Sequence, residues 1–349
     1  MISLKGQDWQ LKNGIDMVIE LPTIYATSSS QFFATGAIKI LNSINIIDTL
    51  CFGSECKNLD TLKNIVEVLV KNEEYILNKT KELMKSGNSF ASSRSLALEE
   101  FFDENTLNEI SKPNNILAIE YIKVIKKIGS NIVPFNIKRE GVTHNDNMIK
   151  EENKFASATS IRNYIYNNDV NILQNVVPNE TYNIINSSKY LSNEDLFNLL
   201  KYTTILNKDE LNSFNGVIEG LENKILDAIN ISNTYDEFIH NIKSKRYTMA
   251  TIKRMLMSIL LNITKEDFNT LINNEINYAH ILSISERGKT LLSEISKKSN
   301  INLLTSLNDQ IINNLGRIDK KSLKLDILST NIYSSLLNED INKDYTNKL

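Results

Sequence analysis

The sequence predicts an α/β protein in which a parallel-sheet domain, assigned to residues 1–190, precedes a mainly helical domain over residues 191–349. Three observations carry this expectation. Two short apolar runs, ending at Pro22 and Gly53, flank a segment with helical spacing, which is the pattern of a βαβ unit. A third run, Ile132-Val133-Pro134-Phe135-Asn136-Ile137-Lys138, reads as another strand, with Pro134 tolerable near its start or at an edge. Beyond Pro178 strand signals become sparse and 3.6-residue spacing prevails.

Met17-Val18-Ile19-Glu20-Leu21-Pro22 is apolar and closed by proline, as expected of a buried parallel strand. From about Ser29 to Asn42, Phe32, Phe33, Ala37, Ile40 and Leu41 are spaced to face a sheet. Ile46 to Gly53 is the next strand, and ligands in such sheets sit beyond strand C-termini, which places Gly53-Ser54-Glu55 at a binding edge. Helical spacing then runs from Leu59 to Ser86, with Gly87 as a C-cap, and again from Ser89 to Phe102. Lys112-Pro113-Asn114-Asn115 interrupts the chain before an amphipathic run, Ile116 to Ile128, for which Asn114 could be the cap. Arg139 to Lys154 is polar and reads as a mobile loop. In the second half helices are expected near 194–204, 217–229, 235–244, 247–261, 265–274 and 288–298, while His280–Ile284 and Ile301–Leu304 could be short strands. The change of domain is placed near Ser187–Ser192.

A length of 349 residues allows two domains with cores that need no disulfides or metals. Hydrophobic residues at 41% and charged residues at 23% exclude a disordered or fibrous class. A net charge of −3 argues against a chain-wide polyanion-binding surface and leaves only local basic patches to consider. Cys51 and Cys56 form neither a C-x-x-C pair nor a disulfide framework, so free thiols are expected. No apolar run approaches a membrane span and Met1-Ile2-Ser3-Leu4-Lys5-Gly6 is not a signal peptide, from which a cytoplasmic location and no membrane partner are expected.

Chemistry is expected at Ala156-Ser157-Ala158-Thr159-Ser160-Ile161-Arg162. Cap-type hydroxyls at Ser157, Thr159 and Ser160, the positive end of a helix and the Arg162 guanidinium converge there, which suits a phosphate. A Ser/Thr-rich cap with a solvated arginine has the same appearance, and the sequence leaves both open. Lys243-Ser244-Lys245-Arg246-Tyr247-Thr248, followed by Lys253-Arg254, gathers five cations and an aromatic, which suits RNA phosphates and base stacking but equally a solvated helix face. His144, His240 and His280 are too scattered for a zinc site, and no metal centre is expected. Asp146 near His144 reads as a surface contact because no nucleophile elbow accompanies it. Walker A and G-x-G-x-x-G sequences are absent.

Asp16-Met17-Val18-Ile19-Glu20-Leu21-Pro22, Phe52-Gly53-Ser54-Glu55, Lys112-Pro113-Asn114-Asn115-Ile116-Leu117, the block 156–162 and Lys245-Arg246-Tyr247-Thr248 together resemble the bacterial tRNA(Met) cytidine acetate ligase family, in order and spacing, from about Leu11 onward. The resemblance implies a Rossmann-like nucleotidyltransferase domain followed by a mainly helical domain that helps hold tRNA. It implies ATP, with Mg2+, and acetate as reactants, and acetyl-adenylate as the intermediate. The acetyl acceptor it implies is the wobble cytidine of elongator tRNA(Met), not DNA. Carried over by position, it implies ATP contacts at Gly53, Asn114 and Arg162.

The family also opens with a strand and an Asn-Pro-Phe-His-Asn-Gly-His loop whose histidines face the ATP phosphates. No such block precedes Asp16, and no histidine precedes position 144. The expectation is therefore a nucleotidyltransferase domain lacking its first strand, on the order of 30 residues or more, with little ligase activity in the chain as it stands. Two functions are carried forward: an ATP-dependent RNA-acetylating ligase and a non-catalytic RNA-binding relative. A nucleotidyltransferase for a small metabolite is disfavoured, because the helical domain and its basic segment would lack a role.

Overall fold

The computed structural model describes residues 8–139, 156–167, 169–218 and 220–346. In chain order these form helix α1 (Asp8–Lys12), strand β1 (Met17–Ile19), α2 (Thr23–Ala26), α3 (Ser30–Ile44), β2 (Thr49–Ser54), α4 (Leu59–Lys71), α5 (Glu73–Lys85), α6 (Phe90–Leu98), α7 (Glu104–Ser111), α8 (Pro113–Ile128) and β3 (Val133–Lys138). The helices α9 (Ala158–Tyr166), α10 (Asn179–Ser187), α11 (Asn193–Leu206), α12 (Leu221–Ile231), α13 (Tyr235–Ile242), α14 (Met249–Leu260) and α15 (Lys265–Asn273) follow. The chain closes with β4 (Tyr278–Ile284), α16 (Glu286–Lys298), β5 (Asn302–Leu304), α17 (Asp309–Asn314), α18 (Arg317–Leu336) and α19 (Lys343–Thr346). The expected α/β class holds, with helices dominating the second half.

The expected parallel pairing is found between β2 and β3, which run in register from Thr49 opposite Val133 to Ser54 opposite Lys138. Helix α8 lies against one face of this pair, where Phe52 meets Tyr121 with ring centroids 5.7 Å apart. The other face presents Val133, Phe135 and Ile137, each more than half exposed. Strand β1 departs from expectation. It pairs antiparallel with β4, not in parallel with β2, and β4 in turn pairs in parallel with β5. An apolar run closed by proline announces a strand but carries no direction, and the partner here lies some 260 residues downstream.

Consequently one buried cluster draws Ile24, Tyr25, Ile40 and Ile44 together with Leu261, Tyr278, Ile281, Leu304 and Leu323. Segments on both sides of residues 187–192 thus share a core. Gly36 shows how close the packing is: a Cβ there would lie 2.4 Å from Cγ of Tyr25, so α3 seats on that ring only without a side chain at this position. A second cluster, from Phe197 to Leu260, is built by α11–α14 and by Leu211, Phe214 and Val217 from the connection between α11 and α12. A third, from Cys56 to Ile122, packs α4–α8 behind β2.

Other boundaries shift for local reasons. The helix expected over 59–86 breaks at Asn72, whose side-chain amide donates to the Val68 carbonyl at 2.8 Å and so closes α4 before α5 begins. Asn114 is not a helix cap. Pro113 occupies the first turn of α8 and makes Lys112 the N-cap residue, which frees the Asn114 side chain for another partner. Both candidate strands of the C-terminal segment form, as β4 and β5. His144, Asp146 and the polar loop that holds them lie outside the described residues.

Candidate functional site

Strand β2 delivers Gly53, Ser54 and Glu55 to one end of the parallel pair, where the start of α8 meets them. The Glu55 carboxylate accepts from the Asn114 side-chain amide at 2.7 Å and from the backbone N–H groups of Asn114 at 3.3 Å and Asn115 at 2.9 Å. These are orphan donors of a helix N-terminus, and an anion there also meets the positive end of the helix dipole. Partial burial pushes the Glu55 carboxyl pKa up, but the donors from Asn114 and Asn115 outweigh it and hold the group below its usual value. Glu55 is therefore a fixed, ionised carboxylate.

Behind it, Asn115 is fully buried and locks three pieces of chain. Its Oδ1 accepts from the Cys56 N–H at 2.9 Å, and its Nδ2 donates to the Glu109 carbonyl at 2.9 Å and to Glu109 Oε2 at 3.0 Å. From β3, Asn136 Nδ2 donates to Ser54 Oγ at 3.0 Å and to the Cys56 carbonyl at 2.9 Å. Gly53 itself is exposed, and a Cβ there would stand 3.3 Å from the Arg139 side chain, so a bare backbone lies beside a cation at the strand end. Of the ATP-contact candidates, the structure brings Gly53 and Asn114 together around Glu55. The roles of Glu55, Asn115 and Asn136 as a clamp were not legible in sequence, since the partners lie about 60 and 80 residues apart.

Ser157, Thr159 and Arg162 sit elsewhere along the chain, at the start of α9. Ser157 is the N-cap: its Oγ accepts the Ser160 N–H at 3.0 Å and lies 3.0 Å from Ser160 Oγ. Both serines are buried, whereas Thr159 is partly exposed and Arg162 exposed. Among the described residues, no hydrogen bond or ion pair joins Arg162 to Gly53, Asn114 or Glu55. Its side chain lines a cavity of about 450 Å³ with Tyr166, Tyr190, Met257 and Tyr333, between α9, α11, α14 and α18.

The basic residues divide. Lys243 caps the end of α13, and Lys245 and Arg246 occupy a turn closed by a bridge between Ser244 and Tyr247, so they precede α14 and are not part of its start. Lys243, Lys245, Arg246 and Lys253 are exposed. Arg254 is half-buried and turns inward, where it donates to Thr251 Oγ1 at 3.3 Å and lines a smaller cavity with Ser28, Ser29 and Asn215. Burial pushes its guanidinium pKa down. Adjacent positions on a helix point about 100° apart, which separates Arg254 from Lys253. Among the described residues no group of three or more His, Cys, Asp or Glu is placed to hold a metal.

The sequence profile of the HIGH Nucleotidyl Transferase family matches residues 7–348. The chain is 37% identical over 345 residues to a tRNA(Met) cytidine acetate ligase of Clostridium perfringens, covering 96% of this chain and 83% of that protein. It is 41% identical over 336 residues to one of Thermoanaerobacter sp., covering 95% and 82%. Among solved structures, Thermotoga maritima TmcAL without ligand superposes with a TM-score of 0.86 at 27% identity, covering 94% of this chain and 82% of that one. The same protein bound with alpha-thio ATP gives a TM-score of 0.85 at 26% identity, covering 96% and 85%.

Proposed function

The chain belongs to the tRNA(Met) cytidine acetate ligase family within the HIGH nucleotidyl transferases, and from that premise we propose that it uses ATP to acetylate the wobble cytidine of elongator tRNA(Met). Acetate attacks the α-phosphorus of ATP and expels pyrophosphate to give acetyl-adenylate; the cytidine N4 amine then takes the acetyl group, releasing AMP and a proton, and the product is N4-acetylcytidine. The observation that carries this reading is the strand end at Gly53, a bare backbone beside the ionised Glu55 and the cation of Arg139. Because Glu55 is ionised and fills the start of α8, it repels phosphate at that point and accepts hydrogen bonds from neutral donors. The ribose hydroxyls of ATP supply such donors. The phosphates then belong with cations, and Arg162 is the residue whose planar fork suits two phosphate oxygens at once. Mg2+ enters as the counter-ion carried on those phosphates. Lys243, Lys245, Arg246 and Lys253, all exposed, provide the contacts to the tRNA backbone.

Attack of acetate on the α-phosphorus joins two anions, so its rate rests on preorganised positive groups around the transferring phosphoryl. The residues of this chain bind and orient ATP for that step. The experiment is incubation of the purified chain with ATP, radiolabelled acetate and tRNA(Met), followed by nucleoside analysis. Labelled N4-acetylcytidine that depends on ATP supports the proposal. Binding of tRNA(Met) without any acetylation would instead identify a non-catalytic RNA-binding relative.

A further inference from the structure

Between the start of α3 and α14 lies a cavity of about 170 Å³, to which the connection between α11 and α12 contributes Asn215. Much of its wall is apolar: Phe32 and Phe268 meet edge to face with ring centroids 5.1 Å apart, beside Ile24 and Ile263. Arg254, half-buried on α14, donates one N–H to Thr251 Oγ1 at 3.3 Å and keeps the other donors of its guanidinium. Among the described residues no acidic side chain lines the cavity or pairs with Arg254. The Asn215 side-chain amide and the Ser29 hydroxyl, which also line it, have no hydrogen-bond partner among the described residues either. Asn215 is nonetheless fixed in place, because its backbone N–H donates to the Ile263 carbonyl at 3.0 Å. A guanidinium keeps its charge at any ordinary pH, and one taken partly out of water is normally met by a counter-charge.

The chemistry that suits this cavity follows from these groups. The cation and the amide call for an anion, and a carboxylate presents two oxygens to the planar fork of an arginine at once. The apolar wall calls for a hydrocarbon body behind that carboxylate. Phosphate fits less well, because its remaining oxygens would face the rings of Phe32 and Phe268. A cavity of about 150 Å³ holds benzene, so a body of about six carbons fits here. An α-amino acid does not, since no carboxylate lines the cavity to receive its ammonium and Arg254 repels it. We propose that this cavity binds an aliphatic monocarboxylate of about five or six carbons without an amine, held at its carboxylate by Arg254 and Asn215, and that its occupancy ties α3 to α14. Neither Gly53, Glu55, Asn114 nor Asn115 lines this cavity, and acetate fills little of it, so the site is separate from the activation of acetate and does not rest on the proposed ligase activity.

The test is a calorimetric titration of the full chain with 4-methylpentanoate, with leucine, which differs from it only by the amine, with acetate and with inorganic phosphate. Binding of 4-methylpentanoate should saturate at one per chain and raise the melting temperature. Acetate should bind at least about tenfold more weakly, since each buried methylene is worth about fourfold, and leucine and phosphate should be weaker by at least about tenfold as well. Arg254→Met keeps the apolar stem and should fold, with affinity for 4-methylpentanoate lowered about tenfold to a hundredfold by loss of the charge-assisted hydrogen bonds. Arg254→Lys, which keeps the charge without the fork, should fall between the two. Should Arg254→Met not fold, Asn215→Asp tests the same point, because a carboxylate there takes up the guanidinium and repels the ligand; unchanged affinity in that variant overturns the proposal. Absence of 4-methylpentanoate binding overturns it too, as does equal affinity for acetate, leucine or phosphate, or an affinity indifferent to Arg254→Met.

Discussion

Replacing Asn115 with leucine removes the central piece of the clamp beside Gly53 while keeping side-chain volume similar. The substitution leaves the buried Cys56 N–H and the Glu109 carbonyl without the partners that Asn115 gives them at 2.9 Å each. An unmet buried polar group costs about 1–3 kcal/mol, so two give about 2–6 kcal/mol. The Glu109 side chain is one-third exposed, so water reaches that side of the clamp and the lower half of the range, about 2–4 kcal/mol, is expected. Against a typical domain stability of about 5–15 kcal/mol this is a large loss. Urea denaturation followed by circular dichroism measures it, with ATP titration in parallel, because release of the loop 53–56 should also weaken nucleotide binding. The effect should be local to α4–α8 and leave the helical cluster of α11–α14 intact. A folded Asn115→Leu protein within about 0.5 kcal/mol of the parent, the range of an ordinary surface change, would refute the reasoning.

Three further outcomes follow from the same structure. Arg162→Lys should weaken ATP binding, since an ammonium cannot hold two phosphate oxygens as a guanidinium does, and an unchanged Kd in equilibrium dialysis would remove Arg162 from the site. Joint replacement of Lys243, Lys245, Arg246 and Lys253 by alanine should lower tRNA affinity and flatten its salt dependence by about one unit of slope for each phosphate no longer neutralised, whereas Arg254→Ala alone should act mainly on stability. Burial, followed by the charge of Glu20, pushes the Asp344 carboxyl up from 3.8 to about 6. The folded protein thus holds a proton at Asp344 that the unfolded chain releases, so the contribution of this group to stability should fall as pH rises from about 4 to about 6, by at most about 3 kcal/mol. Asp344→Asn should remove that contribution, so that the variant gains stability relative to the parent as pH rises from about 4 to about 6; a stability difference between the two proteins that does not change with pH would contradict the assignment.

How much of this was legible in the sequence depends on the distance between partners. The strands β2 and β3 and the helix start at Ser157 rest on short-range patterns of burial and capping and were readable, whereas periodicity alone left β4 and β5 open. The antiparallel seat of β1 on β4 was not, because direction is set by a partner at the other end of the chain. Asn114 drew a cap assignment from its position near a helix start, but Pro113 moved the cap to Lys112 and left Asn114 to bind Glu55. In the basic segment the residue types were readable, but the bridge Ser244–Tyr247 that keeps Lys245 and Arg246 off the helix was not.

The proposed nucleotide site is tested most directly by an ATP titration of the purified chain by calorimetry, repeated with Asn114→Ala and Arg162→Ala. Saturable binding of one ATP per chain is expected, weakened by each substitution while the melting temperature of the Arg162 variant is unchanged, since that side chain is exposed. Absence of ATP binding, or binding indifferent to both substitutions, would contradict it.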